Sequence, residues 1–491
     1  MTHDRGKSDS AIVAVKPTNN AGQPAAEPVE PRAGTKRNAG EQSTHRTQGR
    51  ARVTQALARV RKAAQQRRKE KFTALYHHLS VDLLREAFLV LKRDAAPGMD
   101  GLTWQAYAAD LEQNLTDLHA RVHRGAYRAT PSRRTYIPKA DGRQRPLAVA
   151  ALEDKIVQRA TVAVLNCIYE EEFLGFSYGF RPGRNPHQAL SAVHTAIMSQ
   201  RVKWVLDADI RSFFDSVDHE WLLRMLAHRI ADPRILRLIR QWLEAGILES
   251  DEWHETDRGT PQGAGISPLL ANIFLHYVLD LWVHQWRRRH ARGRVSIVRY
   301  ADDFVMGFES AGDARRMMAD LKDRLAKFGL LLHEDKTRLI AFGRLPAMAR
   351  QQRGERRPET FAFLGFTHYC GWTRDGRFIV KHKTQSERLT RKLKALRQEG
   401  WRLMHAPLAE QHRWYSSILR GHYGYFGMPH NWRALNGFRQ EVRRIWFNCL
   451  RRRSQKNRRR GWDWFEALTA CRPLPQPRIT HPWTPSAARC G

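Results

Sequence analysis

From residue 81 to 91 ("VDLLREAFLVL") apolar side chains recur every three or four positions. That is the period of an amphipathic helix, and Ser80 stands where an N-cap belongs. The stretch "APGMDGLT" then reads as a loop. Near 127 to 149 the pattern becomes two extended runs about "KADGR", a hairpin turn signal. Between about 150 and 370 strand and helix signals alternate, as in an α+β or α/β domain. One strand alternates strictly. Trp204, Leu206, Ala208 and Ile210 point to one face; Val205, Asp207 and Asp209 point to the other. Asp218 is placed to cap a helix starting "HEWLLRML". Beyond 385 the period is helical. Leu389, Leu393 and Leu396 share a face, and so do Phe438, Val442, Ile445 and Cys449. No repeat has a fixed period.

Composition adds what periodicity does not. Residues 1–50 are rich in Ala, Gly, Pro, Thr and Asn and are expected to be a disordered tail. The chain turns strongly basic and plausibly helical from 51 to 71. It carries 84 Lys and Arg against 49 Asp and Glu, a formal net charge of +35. That excess points to a polyanion, foremost a nucleic acid. An anionic membrane fits less well, because the basic residues run through the whole chain. No apolar run approaches the roughly 18 residues of a spanning helix, and the polar start "MTHDRGKSDS" lacks a signal peptide's apolar stretch. The 5 cysteines form no C-x-x-C pair. This argues against a zinc module or a disulfide framework and suits a reducing cytoplasm.

The chemistry concentrates in acids set among apolar residues. In "VRYADDFVMGF" (298–308) a run fit for a buried strand is broken by Asp302 and Asp303. Burying one unpaired carboxylate costs several kcal/mol or forces it to protonate. The pair is either a hairpin turn that happens to contain Asp, or a metal-holding pair. Adjacent strand residues face opposite ways, so both acids reach one metal only at a tight turn, which "YADD" provides. With Asp209 on a neighbouring strand, three carboxylates suffice for two Mg²⁺ ions about 3.5–4 Å apart, an arrangement suited to in-line phosphoryl transfer.

The ordered stretches "TYIPKADGRQRPLAV", "EEFLGFSYGFRPGRNPHQAL", "VLDADIRSFFDSVDHEWL", "GTPQGAGISPLLANIFLH", "VRYADDFVMGF", "GLLLHEDKTRLI" and "FAFLGFTHY" resemble the reverse transcriptase and maturase encoded by bacterial group II introns. The resemblance covers roughly residues 80 to 370. It implies an α+β right-hand polymerase fold: fingers and palm over 51–370, the palm an antiparallel sheet with a YADD hairpin. A helical thumb or maturase region would follow over 371–455, then a basic, Pro-containing segment over 456–491. It implies catalytic roles for Asp209, Asp302, Asp303 and Lys336, the lysine as general acid toward pyrophosphate. Two Mg²⁺ would be held by Asp209, Asp302, Asp303 and the carbonyl of Ile210. Lys139 and Arg145 would hold the nucleotide triphosphate. Phe214 would be the gate against a ribonucleotide's 2′-hydroxyl, with Phe213 the alternative ring. Gln262 would touch the incoming nucleotide, its Gly neighbours letting backbone come close.

The same resemblance implies partners. These are the group II intron RNA, an RNA template with a DNA primer, dNTPs and target DNA, with no membrane, a homodimer possible, and a cytoplasmic, nucleoid-associated location. The arginines Arg451, Arg452, Arg453, Arg458, Arg459 and Arg460 read as a nucleic-acid surface or as a solvated helix end. Paired cysteines of a terminal nuclease domain are absent from this sequence, so an endonuclease-less type is expected. Two rivals remain open. One is a splicing-independent reverse transcriptase of retron or diversity-generating type. The other is an RNA-binding splicing cofactor without polymerase activity.

Overall fold

A computed structural model describes residues 39–138, 144–249, 252–254, 258–260, 263–355 and 359–482. Its helix starts follow the predicted caps. The Ser80 side chain accepts from the Leu83 N–H at 3.3 Å, opening the helix Val81–Leu89. Asp218 accepts from the Trp221 N–H at 2.9 Å, opening His219–Leu226. Each cap contributes about 1 kcal/mol. The fully buried Asp232 accepts from Arg234 N–H at the start of Pro233–Glu244 and from the N–H groups of Leu75 and Tyr76.

In chain order the strands are β1 (Ser132–Pro138), β2 (Gln144–Val149), β3 (Trp204–Asp209), β4 (Ile247–Glu249), β5 (Glu252–His254), β6 (Val295–Tyr300), β7 (Asp303–Phe308), β8 (Arg338–Ala341), β9 (Thr360–Phe363), β10 (Phe366–Trp372) and β11 (Phe378–Thr384). They form three sheets, ordered β2-β1-β4-β5, β6-β7-β3-β8 and β11-β10-β9. Neighbours pair antiparallel except β1 with β4. The "KADGR" turn lies outside the described residues, but the strands on either side of it pair, Pro138 opposite Gln144.

The second sheet is buried on both faces, which is why its strands are nearly continuous in apolar residues. Leu206, Ala208, Ile297, Phe304 and Met306 enter one core, shared with the helices of the first half of the chain. Val205, Val298, Val305 and Ile340 enter a second core, shared with Phe361, Phe363 and Phe366 of the third sheet. A third core unites the helices Ser386–Arg402, Leu408–Phe426 and Trp432–Arg452 through Leu396, Leu419, Val442, Ile445 and Cys449.

The structure draws the segment limits differently from the pattern. The first helix reaches back to Ala39, inside the stretch expected to be a tail. A limit at 370 would cut β10; the third sheet packs on the second, and the terminal helices begin at Ser386. Phe465 and Leu474 are buried in the third core, so the segment after 455 completes that core instead of trailing from it.

One buried side chain fixes the geometry of the β6–β7 turn. Arg299 and Asp280 are both wholly inaccessible to solvent. The guanidinium meets both Asp280 oxygens, at 2.7 and 2.5 Å. It also donates to Asn272 Oδ1 (3.0 Å), Ser177 Oγ (2.7 Å) and the carbonyl of Ala301 (2.9 Å). Asp280 ends a π-helical turn, His276–Asp280, inside an otherwise α-helical run. Such turns are frequent at functional sites. Removing one partner of such a pair strands a buried charge, at a cost of about 3–5 kcal/mol. Arg299→Met is therefore expected to lower the thermal unfolding midpoint markedly. An unchanged midpoint would contradict a stranded charge at Asp280.

A second expectation concerns pH. His368 and His382 lie opposite each other on β10 and β11, both buried, with the His194 and His430 rings each 6.3 Å from His382. Burial, then neighbouring imidazoles, holds His368 down at about 3 and depresses His382 further. Both are neutral when folded, whereas an unfolded histidine titrates near 6.5. Their stabilising contribution is thus complete above about pH 6.5 and lost as pH falls below it. Each imidazole removes about 2 kcal/mol by pH 5. His368→Phe should flatten the fall in unfolding midpoint between pH 7.5 and 5. Parallel curves for the variant and the wild type would contradict this.

Candidate active site

The β6–β7 turn is a two-residue loop: Tyr300 pairs with Asp303, leaving Ala301 and Asp302 between. Ala301 takes φ +58°, a left-handed conformation unfavourable to any residue with a Cβ. The bond from Arg299 to its carbonyl holds it there. A second segment lies directly against the turn. Tyr178 N–H donates to the Arg299 carbonyl (2.8 Å), Arg299 N–H to that of Phe176 (2.9 Å), and the Asn272 amide to that of Gly179 (2.7 Å). A Cβ on Gly179 would stand 2.2 Å from the Ala301 nitrogen, so only glycine permits this approach.

The sheet register brings the acids together. Asp209, the last residue of β3, is directly opposite Asp303 on β7, and Asp302 precedes it in the turn. Asp207 lies two residues before Asp209 on the same face, with Arg338 at 3.8 Å. Burial first, then the charges of Asp302, Asp207 and Asp209, push the Asp303 carboxyl up to about 7; Arg388 opposes them. Asp207 is raised to about 6, chiefly by burial, against the pull of Arg338 and the Ala362 N–H. This is a site where negative charge is crowded and a cation would be welcome.

One cation of the chain is already there. Lys336 Nζ is 2.5 Å from Asp209 Oδ2. The backbone places it: His333 N–H donates to the Asp209 carbonyl and Arg211 N–H to that of Leu331, both 2.8 Å, docking the 331–336 turn alongside β3. These bonds make the bridge between Ile210 and Leu332 without using the Ile210 carbonyl; the Ile210 side chain is buried in the first core. Among the described residues, no three His, Cys, Asp or Glu side chains stand ready-made around a metal position. The donor set is nonetheless of the right kind: carboxylates whose charges help to raise the Asp303 carboxyl, offering the hard oxygens that Mg²⁺ prefers.

The structure thus collects Asp209, Asp302, Asp303 and Lys336 at one sheet end. Phe213 is buried against Phe274 at 6.3 Å, whereas Phe214, next in the short helix Phe213–Ser216, is half-buried. Arg145 lies on β2 opposite Ile137. Lys139 and Gln262 fall outside the described residues. Next to Gln262, Gly263 takes φ +114°, and a Cβ there would meet the Ala148 carbonyl at 2.6 Å. Its conformational freedom is spent on packing against β2. Arg451, Arg452 and Arg458 line a cavity of about 590 Å³ with Arg397 and Trp401, between the helices Ser386–Arg402 and Trp432–Arg452. Arg451 also donates to the Arg458 carbonyl, and Arg452 lies over Trp401 at 5.0 Å. Arg453, Arg459 and Arg460 are exposed and do not line the cavity.

Two supporting groups escaped the sequence reading. Asp207 was visible as an acid on the face of Asp209, but carried no separate signal. Arg299 and Asp280 were visible as single charges inside the apolar runs "VSIVRY" and "IFLHYVLDLW". A lone charge in a buried run demands a partner, and each is the other's.

Residues 137–368 match the family described as reverse transcriptase (RNA-dependent DNA polymerase). Over 239 residues the chain is 36% identical to Protein YkfC of Escherichia coli (strain K12), covering 43% of this chain and 62% of that protein. Over 238 residues it is 35% identical to the group II intron-encoded protein LtrA of Lactococcus lactis subsp. cremoris, covering 48% of this chain and 39% of that one. It is also 27% identical over 129 residues to nuclear intron maturase 3, mitochondrial, of Arabidopsis thaliana, covering 26% of this chain and 18% of that protein. The chain thus spans less than two thirds of the length of these relatives. A reverse transcriptase domain implies the right-hand polymerase fold, in keeping with the mixed helices and antiparallel sheets described above. Residues 137–368 thus carry a domain matching the reverse transcriptases, and the chain is similar over part of its length to a group II intron-encoded protein and to an intron maturase.

Proposed function

We propose that this protein is an RNA-dependent DNA polymerase that also binds its own group II intron RNA and assists its splicing. The observation that carries the polymerase reading is the convergence of Asp209, Asp302 and Asp303 at one end of the second sheet, within the matched domain. These three carboxylates and the Ile210 carbonyl would hold two Mg²⁺ ions. Bound there, the ions supply a lowered pKa for the primer hydroxyl and neutralisation of charge on the leaving pyrophosphate.

The chain's own groups do the rest. Asp303, its carboxyl pushed up to about 7 by burial and the neighbouring acids, would be held ionised by a divalent cation. Lys336, an ammonium at the edge of the acid cluster, would give a proton to pyrophosphate. Lys139, Arg145 and Gln262 would hold the incoming dNTP. Phe214 would close the space beside its sugar; burial of Phe213 in the core favours this ring over its neighbour. The arginines at 451–460, with the cavity they partly line, would hold phosphates of the intron RNA or of target DNA. A net charge of +35 suits that role, and such contacts weaken steeply with salt. No described helix is long and apolar enough to cross a membrane.

The two activities should separate by mutation. Asp303→Asn is expected to reduce primer extension on an RNA template at least a thousand-fold, with RNA affinity within about two-fold of wild type. Replacing Arg451, Arg452, Arg453, Arg458, Arg459 and Arg460 with Gln should impair intron splicing while sparing extension on a generic template. Wild-type extension surviving excess chelator would refute the metal assignment; equal losses in both assays would refute the separation. Phe214→Val should raise ribonucleotide incorporation relative to deoxyribonucleotide in the same extension assay. If only Phe213→Val does so, the gate is the other ring.

A further inference from the structure

The loop that lies against the carboxylate turn carries a residue whose conformation and exposure both need a reason. Phe180 has φ +57°, and 53% of its surface is open to solvent. A left-handed backbone is unfavourable for a bulky aromatic residue, and an exposed ring gains little from burial. Nothing about the fold at this position calls for Phe, since Gly or Asn adopts the same backbone more easily.

The loop is not free to relax. On one side the buried Arg181 donates to the carbonyls of Leu174 (2.9 Å) and Ser177 (2.8 Å) and pairs with Glu170 at 3.1 Å. On the other, Arg299 donates to the Ser177 hydroxyl, and Gly179 is pressed against the Ala301 backbone. Between these clamps the ring of Phe180 stands 6.4 Å from that of Tyr300, tilted by 47°. Tyr300 is the residue immediately before the Ala301–Asp302 turn. Strain held in place by its surroundings, beside reactive groups, marks a functional position. A flat apolar surface offered to solvent there suits the face of a base or sugar.

We propose that Phe180 is a substrate-contacting residue that packs against the terminal nucleotide of the primer strand and holds its 3′ end at the turn of Asp302 and Asp303. The inference rests on the polymerase reading for the identity of that strand. The primer is the occupant because its 3′ hydroxyl must reach the acids that Tyr300 precedes. A ring clamped to the same turn is therefore carried with the reaction centre. The dNTP is assigned to other groups, on the β1–β2 side and at Phe214.

The test uses the full chain and the variants Phe180→Gly, Phe180→Ala and Phe180→Tyr. Three measurements are made: the thermal unfolding midpoint, affinity for an RNA–DNA hybrid with a recessed primer end against a blunt hybrid of equal length, and steady-state extension. Phe180→Gly should keep or raise the midpoint, since strain is relieved. It should weaken recessed-end binding and raise KM for primer–template about ten-fold, leaving KM for dNTP and blunt-hybrid affinity unchanged. Phe180→Ala should show the kinetic defect without the gain in stability. Phe180→Tyr should restore both binding and KM. A midpoint for Phe180→Gly that falls as far as a core truncation would show a merely structural ring and overturn the proposal. So would unaltered recessed-end binding, or a tyrosine that fails to rescue. Preference for the recessed end that depends on Phe180 in a protein that does not extend would sink the polymerase reading and leave this contact standing.

Discussion

The contact between Arg299 and Asp280 sets the terms for everything around the acid turn. Two charges without solvent access gain little net stability from each other, because desolvation offsets most of their attraction. The worth of the pair lies in direction. With both carboxylate oxygens engaged, the guanidinium has a fixed orientation, and its remaining donors point to the Ala301 carbonyl, Ser177 and Asn272. These are the turn, the adjoining loop and the helix behind them. A turn with alanine in a left-handed conformation would otherwise be free to relax, and the two acids beyond it would lose their common position. The pair converts a helix register into a place for carboxylates.

Electrostatics at the sheet end follows from that placement. Burial and the charges of its neighbours raise the proton affinity of Asp303, and chiefly burial raises that of Asp207; the basic groups nearby each relieve a part. Arg338 faces Asp207, Arg388 acts on Asp303, and Lys336 meets Asp209. None of these reaches the whole cluster. The site is left with more negative charge than its walls neutralise, within a protein whose overall balance is strongly positive. That inversion of sign is local and costly, and it is of the kind that an oxygen-seeking divalent cation would offset.

Much of this was legible in the residues, and the limits of legibility are physical. Alternation in "VLDAD" put Asp209 on the face opposite Leu206, and the two cores on either side of β3 bear that out. The caps at Ser80 and Asp218 are local side-chain chemistry and were readable as such. The segment limits were not, because β9–β11 belong to the second core through contacts with β7 and the helix Pro186–Ser199, far away in the chain. Phe465 and Leu474 join the last core by a return of the chain that no local period encodes. The partnership of Arg299 and Asp280 spans an intervening helix end and loop, so each charge announced a need but not its partner. Phe180 was invisible for a further reason: its signal is a backbone angle.

The same division of cores bears on how one chain could serve two tasks. The carboxylates sit where the first and second cores meet across a single sheet, so substitutions on either face of β3 or β7 reach them through packing that relaxes only partly. The arginine-lined cavity belongs to the third core, built from helices after residue 386 and closed by Phe465. Its geometry depends on Ile445, Trp401 and the helix ends at Arg402 and Arg452, while Arg388, near the other end of the helix Ser386–Arg402, acts on Asp303. Changes in charge around the cavity therefore fall on residues other than the acids. Changes at Arg299 fall on the acid turn, through its bond to the Ala301 carbonyl. A large folded RNA able to reach both would couple them only through its own rigidity. The coupling between binding and chemistry would then reside in the substrate, not in a relay through the protein.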